Sequence, residues 1–307
     1  MPDVSRFAVR PMRDDERLAR DPDSLQFESA LVRIGSFRCP VAHPHFRDAG
    51  TISTQVFAFP RSVVWIEHEG QEPFVGDFTR ASLYNPGQMY TRRAISADGD
   101  RSDWFGVSPA LLREILFELD PARADSGQPL FKHMYSPCDA PTYLRQRTVF
   151  EYVRNHPEPD TLGVEEQAVE VLSGLISAAY AERPAPNRPP RRHREIVEHT
   201  RAYLSQHFAR KESLADVAAA VGCSVFHLCR LFRRETGLTL HAFRHELRLR
   251  RSLEYVADSP GDLLGVALAM GYSSHSHFTA AFNASFGVVP SSINSTVRTG
   301  LPASVHA

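Results

Sequence analysis

The sequence predicts an α+β protein that consists of a β-rich N-terminal domain and an all-helical C-terminal domain. The length of 307 residues suits two domains, since one domain takes roughly 100–200 residues. Short runs rich in β-branched and aromatic residues fill residues 30–108, whereas helical patterns dominate after residue 193. Hydrophobic residues make up 42% and charged residues 23% of the chain, as in globular proteins and unlike disordered chains.

The first part of the N-terminal domain is expected to consist of strands. Four runs of strand composition, bounded by Gly, Pro and Asn, lie at residues 54–59, 61–67, 73–78 and 89–95. Strands this short, repeated at 8–12-residue spacing, favour a sandwich or a barrel.

Residues 110–182 have the pattern of helices. Pro141 stands where a helix would begin, because proline is favoured in the first turn. An apolar stripe at helical spacing follows, formed by Val164, Ala168, Val171, Leu175 and Ala179. The stripe is compatible with packing on its own domain or on a partner subunit, and we expect a homodimer.

A linker divides the chain at residues 184–193, where four prolines exclude a helix interior or a central strand. We therefore assign residues 1–183 to the first domain, residues 194–293 to the second and residues 294–307 to a flexible tail. Residues 191–307 carry 14 Arg and Lys side chains against 9 Asp and Glu, whereas residues 1–190 carry 21 against 27. This asymmetry indicates that the C-terminal part meets a polyanion.

The C-terminal part contains an internal repeat. The segment at residues 214–224 reappears 49 residues later at residues 263–273, with Gly222 matching Gly271. After one inserted residue, His227, Phe232 and Gly237 match His277, Phe282 and Gly287 at an offset of 50. Each copy is expected to form the same supersecondary element.

One repeat has the pattern of two helices joined by a tight turn. Ser213 is placed to cap a short helix whose apolar stripe begins at Leu214, and Gly222 suits a residue with positive φ that turns the chain. Ser224 would cap the second helix. The pattern fits a helix-turn-helix, whose second helix enters the DNA major groove, and also a plain helical hairpin.

The segment between the repeats favours the DNA-binding alternative. Residues 239–258 predict a helix with an apolar stripe and several arginines. A helix of about 20 residues spans about 30 Å, and successive major grooves on one face of DNA lie about 34 Å apart. Such a helix could hold two reading helices in adjacent grooves.

On these features, residues 194–293 resemble the DNA-binding domain of the AraC/XylS family of bacterial transcription regulators. The matching residues are Leu214, Ala218, Gly222, Ser224, His227, Leu228, Arg230, Phe232, Gly237, Phe243, Arg248, Leu249, Val266, Ala267, Gly271, Tyr272, Phe278, Phe282, Phe286, Gly287 and Pro290. The sequence departs from the family pattern at Ala280, where the family usually carries Arg, and at the ending Pro-Ser-Ser-Ile-Asn of residues 290–294.

The resemblance implies a transcription regulator that binds double-stranded DNA and contacts RNA polymerase. It also implies a jelly-roll (cupin-like) sensor domain with dimerising helices, controlled by a small-molecule effector. The turn at residues 84–90 resembles one of that sensor. The sequence itself identifies neither the effector nor its pocket; the large or charged candidates on the strands are Trp65, Tyr84, Tyr90, Arg92 and Trp104.

The candidate DNA contacts are the outward residues of the second helix in each repeat. They are Val225, Phe226, Cys229, Arg230, Arg233 and Arg234 in the first repeat, and Ser274, His275, Ser276 and Thr279 in the second. Arg230 can pair with a guanine edge, and Phe226 can contact a thymine methyl group or pack on a neighbouring helix. We expect the first repeat to carry most of the base discrimination, while the second fixes the register.

A separate motif near the N-terminus allows a metal site. Cys39, His43 and His45 lie within seven residues, and a His-x-His pair is what a metal-binding cupin uses; the other interpretation is a loop stiffened by prolines. No nucleophile elbow, phosphate loop or GxGxxG motif indicates catalysis. We therefore expect no enzyme and no cofactor.

The chain is expected to act in the bacterial cytoplasm. It has no CxxC pair, no stretch of 18 apolar residues and no apolar run near its N-terminus, so neither a disulfide framework, a membrane span nor a signal peptide is predicted. Two alternatives to an effector-controlled regulator stay open at this point: a ligand-independent dimeric DNA-binding factor, and a metal-binding cupin protein or enzyme.

Overall fold

A computed structural model describes residues 22–181, 189–258 and 262–293. The chain separates into two compact units, with the division at residues 182 and 183. The predicted tail at residues 294–307 and most of the predicted linker lie outside the described residues. The domain boundaries stay our proposal.

The described part of the N-terminal unit contains ten antiparallel strands in two sheets. They are β1 (Asp23–Glu28), β2 (Val32–Cys39), β3 (Asp48–Thr51), β4 (Gln55–Pro60), β5 (Val64–His68), β6 (Phe74–Gly76), β7 (Arg80–Tyr84), β8 (Met89–Ala94), β9 (Asp100–Val107) and β10 (Tyr135–Pro137). One sheet has the order β1-β2-β9-β4-β7-β10 and the other the order β3-β8-β5-β6.

The two sheets share a core, to which β2 and β7 contribute from one side and β5, β6 and β8 from the other. Cys39 and Tyr84 of the first sheet pack with Ile66, Phe74 and Tyr90 of the second, and all five are buried. Period-2 alternation explains this packing, since every second side chain of a strand points to the same face.

The predicted fold class is confirmed: antiparallel sheets of the jelly-roll type are followed by helices. The four predicted runs correspond to β4, β5, β6 and β8. Two bounds were wrong, because β1 begins at Asp23, before the predicted start at residue 30, and β10 lies inside the segment predicted as helical. The short strand β10 completes the edge of the first sheet beside β7, a long-range pairing that a local pattern does not show.

In the described part of the N-terminal unit, four helices follow β9: α1 (Pro109–Phe117), α2 (Pro121–Ala124), α3 (Ala140–Asn155) and α4 (Thr161–Tyr180). Pro141 lies in the first turn of α3, as predicted, and Asp139 caps that helix by accepting from the backbone N–H of Thr142. The predicted stripe from Val164 to Ala179 is buried within this chain, where α4 packs on α3 and β10. The stripe is therefore used inside its own unit, and the homodimer stays a prediction.

A buried ion network joins α3 to the first sheet. The carboxylate of Asp103 on β9 accepts from Arg61 Nη1 at 3.1 Å, from Arg147 Nη1 at 2.6 Å and from Gln146 Nε2 at 3.0 Å. The second Arg147 nitrogen donates to Glu151 Oε1 at 2.6 Å. Hydrogen bonds of this charge-assisted kind offset the cost of burying these charges.

The described part of the C-terminal unit is helical. Its helices are α5 (Arg191–His207), α6 (Leu214–Ala220), α7 (Val225–Thr236), α8 (Leu240–Asp258), α9 (Leu263–Ala269) and α10 (His275–Phe286). The predicted linker end at residue 193 was wrong, because α5 begins at Arg191 after an extended Pro190. Proline excludes a helix interior but is tolerated just before the first turn, where the missing N–H is not needed.

The two repeats fold as two helix-turn-helix units. Ser213 caps α6 with a capping box, and Ser224 caps α7. Gly222 and Gly271 occupy the turns with φ of 69° and 79°, a conformation that favours glycine. Helices α6 and α7 are bent by 84° relative to each other, close to the angle of a helix-turn-helix.

Helix α8 lies between the two helix-turn-helix units and packs against the helices of both. Its stripe of Leu240, Phe243, Leu247 and Val256 is buried as predicted, and the Phe243 ring lies 5.3 Å from the Phe232 ring of α7. One stripe prediction was wrong: Leu214 is 47% exposed. On so short a helix only the residues that face α7 and α5 are covered, and the first residue lies beyond them.

Among the described residues no single helix is long and apolar enough to cross a membrane; by length and composition alone, the bent α6–α7 pair could.

Candidate nucleic-acid interface

Helix α7 buries one apolar stripe and exposes its opposite side. Leu228, Leu231 and Phe232 are buried against the other helices. The predicted reading residues are on the opposite side: Arg230, Arg233, Arg234 and Val225 are exposed, Phe226 is 72% exposed, and Cys229 is partly covered. The structure thus brings all six predicted residues of the first repeat to one surface.

Phe226 and Arg230 form a pair on that surface. The guanidinium carbon of Arg230 lies 5.5 Å from the centre of the Phe226 ring, as expected for residues one helical turn apart. The interpretation that Phe226 packs on a neighbouring helix is not supported, because its ring is mostly exposed. The contact restricts the Arg230 side chain while leaving its N–H groups exposed.

The reading surface of the second unit has a different chemistry. His275 and Ser276 are exposed at the start of α10, and Thr279 is partly covered, with its Oγ1 3.4 Å from Nε2 of His275. Ser274 is the N-cap of α10, and its hydroxyl accepts from the backbone N–H of His277 at 3.2 Å. A phosphate contact of Ser274 stays a prediction; in it the hydroxyl group would donate its hydrogen to the phosphate.

Positive charge differs sharply between the two units. Residues 262–293 include no Lys or Arg, and the exposed Ala280 stands where the first unit has Arg230. Helix α8, between the units, has 19 residues and so measures about 28 Å along its axis. Placement of α7 and α10 in adjacent grooves stays a prediction.

The N-terminal unit holds a cavity between its two sheets. Its volume is about 550 Å³, within the usual range of small-molecule sites. Of the side chains singled out in the sequence, Tyr84, Tyr90, Arg92 and Trp104 line this cavity, whereas Trp65 does not. Aliphatic and hydroxyl side chains form much of the remaining lining, among them Ile52, Val56, Val64, Ile66, Thr51, Thr54, Ser82 and Ser102.

The charged groups that line this cavity most deeply are paired with each other. Arg92 Nη1 donates to Asp100 Oδ2 at 2.6 Å, and its Nη2 donates to the backbone oxygen of His45 at 2.8 Å. The guanidinium lies over the Phe37 ring at 4.6 Å. Burial raises the pKa of Asp100, while the neighbouring Arg92 opposes that rise.

The three metal candidates do not form a ligand set. Cys39 is buried in the core, where burial raises the pKa of its thiol. His43 accepts from the backbone N–H of His45 through its Nδ1. Across residues 22–181, 189–258 and 262–293, no three His, Cys, Asp or Glu side chains are placed to hold a metal ion.

Comparison with known proteins finds matches to the C-terminal unit. Residues 217–295 match the model of a helix-turn-helix domain. The regulator MtrA of Neisseria gonorrhoeae is 35% identical over 25% of this chain and 26% of its own length. The transcriptional activator RhaS of Escherichia fergusonii is 29% identical over 32% of this chain and 35% of its own length.

A solved Chromobacterium violaceum regulator with an AraC-type DNA-binding domain is 24% identical, covers 33% of this chain and 91% of that one, and has a TM-score of 0.32. This chain covers about a third or less of the length of MtrA and of RhaS. Residues 217–295 form an AraC-type helix-turn-helix domain, a class of domain that binds DNA.

Proposed function

We propose that this protein is a bacterial, cytoplasmic transcription regulator that binds specific DNA sequences and is controlled by a small molecule bound in its N-terminal unit. The observation that carries the proposal is the exposed face of α7, where Phe226 and Arg230 are held together on the second helix of an AraC-type unit. The proposal includes a homodimer, contact with RNA polymerase and no catalysis.

We assign the residues of this surface to two roles, contact with bases and contact with phosphates. Arg230 would donate to O6 and N7 of a guanine, and Phe226 would contact a thymine methyl group in the major groove. Val225 and Cys229 would lie against base edges beside them, while Arg233 and Arg234 would bind phosphates. In the second unit, the hydroxyl and imidazole groups of Ser274, His275, Ser276 and Thr279 would mainly contact the DNA backbone, which fixes register without reading sequence.

Selection of binding sites from a pool of random duplexes tests the DNA-binding proposal. The full chain should enrich one sequence motif that contains a guanine, and hydroxyl-radical footprints should show two protected segments about one helical turn apart on one face of the duplex. Binding without enrichment of any motif, or no binding at all, would overturn it.

The effector proposal rests on the cavity between the sheets. Because the deepest charges, Arg92 and Asp100, are already paired, the cavity suits a small uncharged molecule with an apolar body and hydrogen-bonding groups. Trp104 lines the wall, and its Nε1 donates to Asp23 Oδ1 at 2.6 Å. A ring-containing ligand could stack on this indole.

A thermal-shift screen of uncharged small molecules against the full chain tests that proposal. A hit should lose its shift in Trp104→Ala, keep it in the matched control Trp65→Ala, and change the DNA affinity of the unmodified protein. A ligand that binds without changing DNA affinity, or a screen without hits, would instead favour the ligand-independent dimeric factor.

A further inference from the structure

Basic side chains of two helices meet beside the reading surface. Arg191, Arg192 and His193 form the first turn of α5, and His193 faces α7. Its ring centre lies 5.5 Å from that of His227, and Arg234 Nη2 lies 3.2 Å from its Nδ1. We call His193, His227, Arg234 and Arg192 the flanking basic cluster.

The cluster is continuous with the predicted DNA contacts. His227, Arg230 and Arg234 are three, four and seven positions apart on α7, so they form one stripe along that helix. Arg230 is the main candidate for base contact, and the stripe carries its positive charge from that residue to the start of α5. Local sequence patterns do not predict the contact between His193 and His227, because the two residues are far apart in the chain.

The cluster is rich in hydrogen-bond donors. A guanidinium has no acceptor, so Arg234 donates to Nδ1 of His193 and occupies that acceptor. Arg192 is exposed and contributes further N–H donors. A group rich in donors suits an anion with several oxygens, such as a phosphate.

The charge at the start of α5 is unfavourable in the isolated protein. The N-terminal end of a helix carries partial positive charge, which favours acidic side chains and disfavours basic ones. The first turn of α5 has no acidic residue, and its cap, Pro190, accepts no side-chain hydrogen bond. Glu195 pairs with Arg191 at 2.8 Å and Glu235 with Arg234 at 2.6 Å, so the compensation is partial and leaves the charge of the exposed Arg192.

We propose that the flanking basic cluster binds a backbone phosphate of the DNA, at the edge of the major groove that α7 enters. This inference rests on the proposed function and extends the interface beyond the helix-turn-helix units. Phosphates border the groove on both sides, and roughly half or more of protein–DNA hydrogen bonds go to the backbone. The contact would strengthen binding to every sequence equally.

The test uses the double variant Arg192→Gln/His193→Gln in the full chain. On the selected site and on a scrambled duplex alike, affinity should fall about 5- to 20-fold, and the slope of log affinity against log salt should fall in magnitude by about 1, the value for one phosphate. Base preference should stay unchanged. The matched control is Arg191→Gln, which removes the same charge from the same turn at a side chain already paired with Glu195; its effect should be below about twofold.

Single neutral methylphosphonates placed along the duplex then locate the phosphate. One position should weaken binding by the unmodified protein and leave the double variant unaffected. The inference is overturned if the double variant binds like the control, or if no position separates the two proteins. Should Arg230→Ala still abolish selectivity in that case, only this inference falls; if the unmodified chain binds no duplex, the proposed function falls with it. Binding of free inorganic phosphate with no effect of the duplex methylphosphonates would also count against a DNA contact.

Discussion

The two helix-turn-helix units of this chain have the same interior and different surfaces. Phe232 of the first and Phe282 of the second are fully buried, as are Val217 and Val266 on the preceding helices. On the outside, Arg230 corresponds to Ala280 at the offset of 50 residues. The same offset matches three other predicted contact residues with short neutral ones: Phe226 with Ser276, Arg233 with Asn283 and Arg234 with Ala284.

This difference separates the residues that make the fold from the exposed residues that we propose as DNA contacts. Buried residues must fill a fixed space at high packing density, so both copies need aromatic and small residues at the same places. Exposed residues are free of that constraint and can differ without disturbing the fold. We therefore propose that the first unit reads bases and that the second makes weaker backbone contacts.

Among the changes that test the difference between the two units, loss of Arg230 should have the largest effect on DNA affinity. Arg230→Ala removes a bidentate contact worth about 1–3 kcal/mol of discrimination, so affinity for the selected site should fall about 10- to 100-fold while affinity for a scrambled duplex changes far less. Competition gel shifts measure both. If selectivity survives, the first unit is not the reader.

Loss of the Phe226 ring should have the second-largest effect on DNA affinity. Phe226→Ala should weaken binding to the selected site about tenfold, since burying an aromatic side chain contributes about 1.5–3 kcal/mol. The free protein should keep its melting temperature because the ring is 72% exposed. A drop in melting temperature would mean that the ring stabilises the unit instead.

Adding charge to the second unit should make it more like the first. Ala280→Arg places a guanidinium at the position of Arg230 and should strengthen binding about fivefold, with a steeper salt dependence by about 1 for each added phosphate contact. Ala280→Gln serves as the matched uncharged control. An arginine without effect would show that α10 does not lie against the duplex.

The smallest effect is expected for His275. His275→Ala removes one exposed imidazole whose ring contacts only Thr279 at 3.4 Å among the described hydrogen bonds, so affinity should fall less than about threefold. Fluorescence anisotropy with the duplex used for Arg230→Ala measures it. An effect larger than that of Arg230→Ala would reverse the order of the two units.

Local sequence signals were sufficient for the caps and turns of the helix-turn-helix units. The caps at Ser213 and Ser224 and the turn at Gly222 depend on neighbouring residues, so the sequence predicts them directly, and the inward face of α7 follows from helical spacing. The contacts of His193 with α7 and the pairing of β10 with β7 join residues that are far apart in the chain, so local patterns do not predict them. The cavity could not be predicted for the same reason, because alternation in a strand does not say which opposite strand its side chains will meet.

Strand β9 has two faces with different neighbours. Ser102 and Trp104 point into the cavity, whereas Asp103 between them holds Arg147 and Gln146 of α3. The wall of the cavity and the anchor of the helical layer are thus built from three consecutive residues on one short piece of backbone.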